Sequence, residues 1–305
     1  MKVLMTGSSG FIGKHMTPRL EQKFELYHLK SDLLDFEKVA EEVHLIQPDI
    51  IVHLAARTEV EKSFYEQLTF SQVNYVGSVN LIESAAKLKN PVYFVFASTM
   101  EVYGWQPISD QIEQEVILDH LPAFDKNTTV NPNAPYAVAK YGVEKYLEYA
   151  NRAYNIDYAI VRQTNSYGRK DNNFFVTEQI IWQMLSNETE CNLGYGKPYR
   201  NFIYIDDLLD AWDDIITYKK VCANNIFTLG PDNPISISDH ANNIAKMIGW
   251  NGKINWDTKP KRHGEIYYLN SNFTDLNAAT GWSPKITYND GLQRTIDYWK
   301  HYVSS

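Results

Sequence analysis

The sequence predicts a doubly wound α/β fold, a parallel sheet covered by helices on both faces. Short apolar runs alternate with longer amphipathic segments through the first half, as strands buried on both faces and their covering helices do. The connections between runs are long enough for the crossovers that parallel strands need. A glycine-rich segment stands directly between the first run and the first amphipathic segment. At 305 residues and 44% hydrophobic content, the chain exceeds the usual span of one domain, and a second, smaller α/β lobe is expected.

In chain order, strands are expected at 3–6, 24–29, 50–54, 92–97 and 158–161, with helices at roughly 11–23, 35–46, 70–89 and 135–154. After about residue 163 the texture changes. Gly194, Gly196, Pro198, Gly230, Pro231, Pro234, Gly249 and Gly252 cut the chain into shorter pieces. The stretch 206–218 places Leu208, Leu209, Trp212, Ile215 and Ile216 at helical spacing, as for a helix returning to the first lobe. The expected organisation is therefore a first domain over 1–162, with about 202–225 returning to it, and a second lobe over 163–201 and 226–305.

Composition narrows the function. Lys plus Arg total 29 against 37 Asp plus Glu, a net charge of −8. Without a long basic run, this argues against nucleic acid or an anionic membrane surface. Cys191 and Cys222 are the only cysteines, as expected in a reducing compartment. No leader pattern opens the chain, and no apolar run approaches the ~20 residues that span a bilayer. The expectation is a soluble cytoplasmic protein. His28 has no second His or Cys at metal spacing, so no metal site is expected.

Gly7, Gly10 and Gly13 follow the first strand and open the first helix, in G-x-x-G-x-x-G spacing. Glycines there permit a tight turn and let backbone N–H groups approach a pyrophosphate at the positive end of the helix. Three glycines also suit plain turn chemistry; it is the strand-loop-helix context that makes them informative. Many dinucleotide sites place an acid at the end of the second strand to bind the ribose 2′-OH. Here Lys30 and Ser31 occupy that place, and a cation with a hydroxyl suits the extra phosphate of NADP. The alternative is NAD, served by Asp32 one step further on.

Tyr136 and Lys140 stand four residues apart, on one face of a helix. An ammonium beneath a phenol favours phenolate and makes an acid/base. Tyr141 and Lys145 repeat the spacing, so the pair alone is weak. It gains weight from Ala97-Ser-Thr99-Met-Glu101-Val-Tyr-Gly104 at the carboxyl end of the fourth strand, where open α/β sheets bind ligands.

Together these pieces resemble the extended short-chain dehydrogenase/reductase superfamily, in its nucleotide-sugar epimerase/dehydratase branch with a Rossmann-type sheet. The match covers nearly the whole chain. It continues at Pro48-Asp-Ile-Ile-Val-His-Leu-Ala-Ala56, at Asn74 with Gly77 and Asn80, and at Arg162-Gln-Thr-Asn165-Ser-Tyr-Gly168. Further matches are Gly194-Tyr-Gly196 through Arg200 to Asp207, Arg262-His-Gly-Glu265, and Gly281-Trp-Ser-Pro284. The resemblance implies that Gly7, Gly10 and Gly13, with Phe11 and Ile12 between them, cradle the pyrophosphate. Asp32 and Leu33 contact the adenine, and Leu54, Ala55, Ala56 and Asn74 line the cofactor groove. Tyr136 is the implied acid/base, Lys140 the residue that holds the nicotinamide ribose, and Thr99 the partner hydroxyl. Asn165, Arg200 and Arg262 match positions that hold the nucleotide sugar's diphosphate and nucleoside, which suits an acidic protein that must supply local cations.

The chemistry so implied is hydride transfer at C4 of a nucleotide-diphosphate sugar, with 4-keto reduction placed slightly ahead of 4-epimerisation. The short, acid-free connection to Asp32 resembles that of the NADP-using reductases. A 4,6-dehydratase or decarboxylase with Glu101 as base is the next reading. If strand alternation persists, Thr99 and Glu101 face one side; Met100, however, stands where dTDP-glucose-type dehydratases carry an acid. A catalytically silent NADP-binding sensor or scaffold is the reading from another class. The 105–135 loop, with Glu113, Glu115, Asp119 and His120, reads as an ordinary solvated loop, and a homodimer is expected by resemblance.

Overall fold

Val3, Leu4 and Met5 give the first strand apolar side chains on both faces, so it must lie inside a covered sheet. The computed structural model describes residues 1–115, 120–170, 172–261 and 264–304. In it, β1 (Lys2–Thr6), β2 (Glu25–His28), β3 (Ile50–His53), β4 (Tyr93–Thr99) and β5 (Asp157–Gln163) form one parallel sheet with a sixth strand, Asn225–Leu229. The order is Asn225–Leu229, β5, β4, β3, β1, β2. Successive residues feed opposite cores: Val3, Met5, Val52, Val95 and Val161 on one face, Leu4, Ile51, Phe94, Phe96 and Ile160 on the other.

Helix α1 (Phe11–Glu21) is capped by Gly10, with no side chain bonded to its first amides. Helix α2 (Phe36–Ile46) starts where the Asp35 side chain accepts from the Lys38 amide, and it buries Val39 and Val43 against the sheet. Pro135 opens the helix Pro135–Tyr154, where its fixed φ is already helical, and Asn155 closes it in the left-handed region.

The helix expected at 70–89 is instead three pieces: Gln67–Ser71, a wide π-turn at Gln72–Val76, and Gly77–Ala86. Gly77 is required by packing, because a Cβ there would meet the Leu33 side chain at 2.9 Å. The fourth strand runs two residues past its expected end and then tightens into a 3₁₀ turn, Met100–Tyr103, capped by Thr99. Strand alternation therefore stops at Thr99.

The returning helix is Ile205–Thr217, and Trp212, wholly buried in it, donates to Gln163 at the end of β5 (3.1 Å). Arg19 of α1, and Lys23 just past its end, pair with its Asp210 and Asp213. The boundary expected at 225 falls inside the sheet, since Asn225–Leu229 pairs along all of its length with Ala159–Gln163. The edge of β5 needs that partner to satisfy its backbone groups.

Outside this sheet the described residues form three two-stranded ladders, Asn165–Tyr167 with Phe202–Tyr204, Tyr199–Arg200 with Ile235–Ser236, and Glu190–Asn192 with Lys253–Asn255, together with the helices Val176–Ser186, Ile237–Ile248, Thr274–Thr280 and Tyr288–Ser304. In its described residues the 105–135 segment is more than a solvated loop: it carries a helix, Pro107–Glu113, and its Phe124 packs at a tilt on Tyr103 and edge-on against Tyr268. Glu113 accepts from Lys261 and Tyr267, and Glu115 pairs with Lys197. Asp119 lies outside the described residues. No helix among the described residues is long and apolar enough to cross a membrane.

Candidate active site

A cavity of about 670 Å³ opens at the carboxyl ends of β1, β3, β4 and β5. The Gly7–Gly13 loop and Leu54–Val60 form one side; Ser98–Glu101, Tyr136 and Asn165 form the floor; Arg169 and Phe174–Glu178 face them. The glycines are there because side chains would fill the cradle. A Cβ on Gly13 would sit 2.2 Å from the Gly7 carbonyl, and one on Gly7, at φ +73°, would sit 2.6 Å from the Ala55 amide. That close backbone, next to the uncapped amides of α1, fits a pyrophosphate.

The Leu54–Val60 wall is held from behind. Thr6 accepts from the Ala55 amide and bonds His53 Nδ1 (2.6 Å), while His53 Nε2 bonds Ser78 (2.8 Å). Burial, with the nearby Lys140 charge, holds His53 down at about 3, so its ring is neutral. Asn74, expected to touch the cofactor, is buried and clamps both the N–H and the C=O of Arg57 (2.8 and 2.9 Å). The π-turn that carries Asn74 widens the backbone there, and its side chain shapes the groove without lining it.

Thr99, Glu101 and Tyr136 meet in the cavity. The 3₁₀ turn brings Glu101 there, its amide donating to Thr99 Oγ1 (3.2 Å). Burial first, then the Glu101 charge, push the Tyr136 phenol above its ordinary value, with the Thr99 hydroxyl acting against them. The cation expected beneath the phenol is drawn elsewhere: Lys140 donates to the Ala97 carbonyl (2.7 Å) and stands over the Phe96 ring.

Burial lowers Lys140 to about 7, against the opposing pull of Glu144. Because the folded state releases this proton below the unfolded value of 10.5, stability should rise with pH between about 7 and 10. Lys140→Met should therefore raise the melting temperature most at or below pH 7, and the difference should shrink toward pH 10. Paired melting curves test this, and a pH-independent difference would refute it.

Behind Lys140, the buried Glu144 carboxylate takes three hydrogen bonds from Arg162 (Nε 3.1 and 3.3 Å, Nη2 2.7 Å) and one from Ser98. Arg162 Nη1 also donates to the Tyr103 hydroxyl (3.2 Å).

Other expected contacts fall outside the cavity lining. Leu33 is buried against Gly77, and Asp32 folds back on the Leu34 amide (3.0 Å). Lys30 and Ser31 are engaged by Glu42 of α2, which accepts from both amides (2.9 and 3.0 Å) and from the Ser31 hydroxyl (2.7 Å). Arg200 bonds the partly buried Glu265 (3.3 Å) and its neighbour's carbonyl. Arg262 lies outside the described residues.

Arg169 was not foreseen. Its guanidinium lies between the Phe11 and Phe175 rings (4.2 and 3.8 Å to their centres), and the buried Glu178 is 3.6 Å from Nη1. The one available signal was its place directly after the Asn165-to-Gly168 motif.

A doubly wound parallel sheet with a glycine-cradled helix start and a polar cavity at its carboxyl edge defines a Rossmann-type nucleotide-binding protein. The NAD dependent epimerase/dehydratase family model matches residues 3–230, and the chain belongs to that family, within the extended short-chain dehydrogenase/reductases. It is 28% identical to a putative UDP-glucose 4-epimerase of Methanocaldococcus jannaschii, over 98% of each chain. It is 24% identical to the dTDP-glucose 4,6-dehydratase of Salmonella typhimurium, over 98% of this chain and 92% of that one. In structure it is similar to RMD from Pseudomonas aeruginosa complexed with NADPH, with a TM-score of 0.84 and 22% identity, covering 99% of each chain.

Proposed function

We propose that this protein oxidises and re-reduces C4 of a nucleotide-diphosphate sugar, and that its net reaction is 4-epimerisation. The observation that carries the reading is the single cavity in which the Gly7–Gly13 cradle meets Thr99 and Tyr136. Residues 1–162, with the return now extended through Leu229, would hold the dinucleotide, and the remaining segments the sugar nucleotide.

Bound NAD supplies the hydride acceptor and donor. Tyr136 takes the proton of the C4 hydroxyl as hydride leaves C4, giving a 4-keto sugar, and returns it when hydride comes back to the other face. Thr99 holds the C4 oxygen within reach of the phenol, and Asn165 and Arg169 face the sugar nucleotide's polar portion. The reductase reading drew its support from Lys30 and Ser31 as a 2′-phosphate site. Glu42 occupies those donors, and 4-epimerisation takes first place.

Glu101 favours a second reading on the 4-keto intermediate: it removes the C5 proton as water leaves C6 and the stored hydride then returns to C6, or, where C6 is a carboxylate, carbon dioxide leaves and C5 is protonated in its place. Incubation with UDP-, dTDP- and GDP-sugars, followed by mass and proton NMR, separates the two. An epimer of unchanged mass supports the first reading, and loss of water or carbon dioxide supports the second. Dinucleotide binding without turnover across the panel would point to a silent sensor or scaffold and overturn both.

The charge of Glu101 also gives a pH prediction. Since it helps to hold the phenol neutral, Glu101→Gln should lower the Tyr136 pKa, and the alkaline rise of kcat/KM should start at lower pH than in the parent. An unmoved profile would mean that Glu101 does not act on Tyr136.

A further inference from the structure

We propose that Glu42, on helix α2, is the residue that sets dinucleotide choice, by excluding the 2′-phosphate of NADP and so favouring NAD. The proposal rests on the dinucleotide reading above. The second strand ends beside the cradle: β1 and β2 are neighbours, Met5 pairs with His28, and the Leu29 amide donates to the Met5 carbonyl (3.0 Å). The ribose nearest the first strand therefore meets Lys30 and Ser31, the first residues beyond that edge.

These residues carry three donors that a phosphate dianion would use: the Lys30 amide, the Ser31 amide and the Ser31 hydroxyl. All three donate to one carboxylate, Glu42 Oε1 and Oε2, at 2.9, 3.0 and 2.7 Å. A 2′-phosphate arriving there would lose its donors and face a negative charge, a like-charge contact that is strongly disfavoured. A neutral 2′-hydroxyl has no such penalty and can itself donate to the carboxylate.

The placement follows from local packing. Val39 and Val43 seat α2 on the sheet, and position 42 beside that apolar stripe points toward the end of β2. Partial burial acts against ionisation of Glu42, but the Ser31 hydroxyl, the two amides and the Lys30 charge hold it below the usual carboxylate range. It is charged at neutral pH. The acid that sequence reasoning missed at residues 30 and 31 is thus supplied from eleven residues further along.

Titrating NADH and NADPH separately into the parent protein, Glu42→Gln, Glu42→Ala and Asp32→Asn tests this, after exchange of any co-purified dinucleotide and with binding read by nicotinamide fluorescence. The parent is expected to bind NADH more tightly. Glu42→Ala should narrow that ratio by about 10- to 100-fold through gain of NADPH affinity, with Glu42→Gln between. Adding Lys30→Ala to Glu42→Ala should take back part of the gain, since the freed cation is what then meets the phosphate.

A merely structural role for Glu42 would weaken both ligands together, and that outcome overturns the proposal. So does a parent that prefers NADPH, or a ratio that moves with Asp32→Asn and not with Glu42. If the parent binds neither dinucleotide, the dinucleotide reading itself fails, which distinguishes that failure from an unchanged ratio in a protein that binds NADH.

Discussion

Replacing Tyr136 with phenylalanine should lower turnover of the nucleotide-diphosphate sugar by about 10²–10⁴-fold, the usual share of a positioned acid/base. NADH binding should survive. The substitution removes one oxygen from a ring that is buried at the cavity floor, so packing is nearly conserved and the loss falls on proton transfer. The phenol stands above its ordinary value for reasons of burial and Glu101 charge. Its conversion to a base thus depends on what the bound complex places near it. Residual activity should consequently lose its alkaline rise. Turnover close to that of the parent, measured with saturating sugar nucleotide, would show that another group moves the proton.

The second large effect is on stability. Glu144→Leu should destabilise the fold by about 3–5 kcal/mol, because it leaves the Arg162 guanidinium charged and buried without its carboxylate. Both side chains are almost wholly excluded from solvent, and Ser98 and Tyr103 complete the network. Arg162→Met should cost a similar amount. The double variant should recover most of the loss, since an apolar pair of similar volume is often tolerated in place of a buried ion pair. Urea unfolding of the four proteins measures this. Single losses below about 1 kcal/mol, typical of exposed pairs, would mean that water reaches the site on modest rearrangement.

The sheet, the glycine cradle and the positions of Thr99 and Tyr136 were legible because each is a local pattern: an apolar run, a strand-to-helix turn, a residue at a strand's end. Glu101 was reached for the wrong reason. Strand alternation was expected to align it with Thr99, whereas a 3₁₀ turn brings it to the cavity.

What could not be read depends on side chains that meet across the fold. Glu42 reaches backbone amides eleven and twelve residues away, and nothing in the spacing marks a helix carboxylate as the partner of a strand end. Asn74 matches a family position yet acts through Arg57, one layer behind the groove. Lys140 keeps its helical register with Tyr136, but hydrogen-bond geometry sends its ammonium to Ala97. Arg200 was read as a ligand cation, and a carboxylate 65 residues on engages it. The boundary at 225 fell short because the last strand lies beyond a texture change that looked like the start of another lobe.

That last strand also bears on biosynthesis. During translation β5 is completed by Gln163, but the strand that covers its outer edge ends only at Leu229. For the intervening stretch a ribosome-bound chain carries an exposed, apolar parallel edge, an open template for pairing with another chain. Chains released before Asn225 should therefore aggregate through that edge.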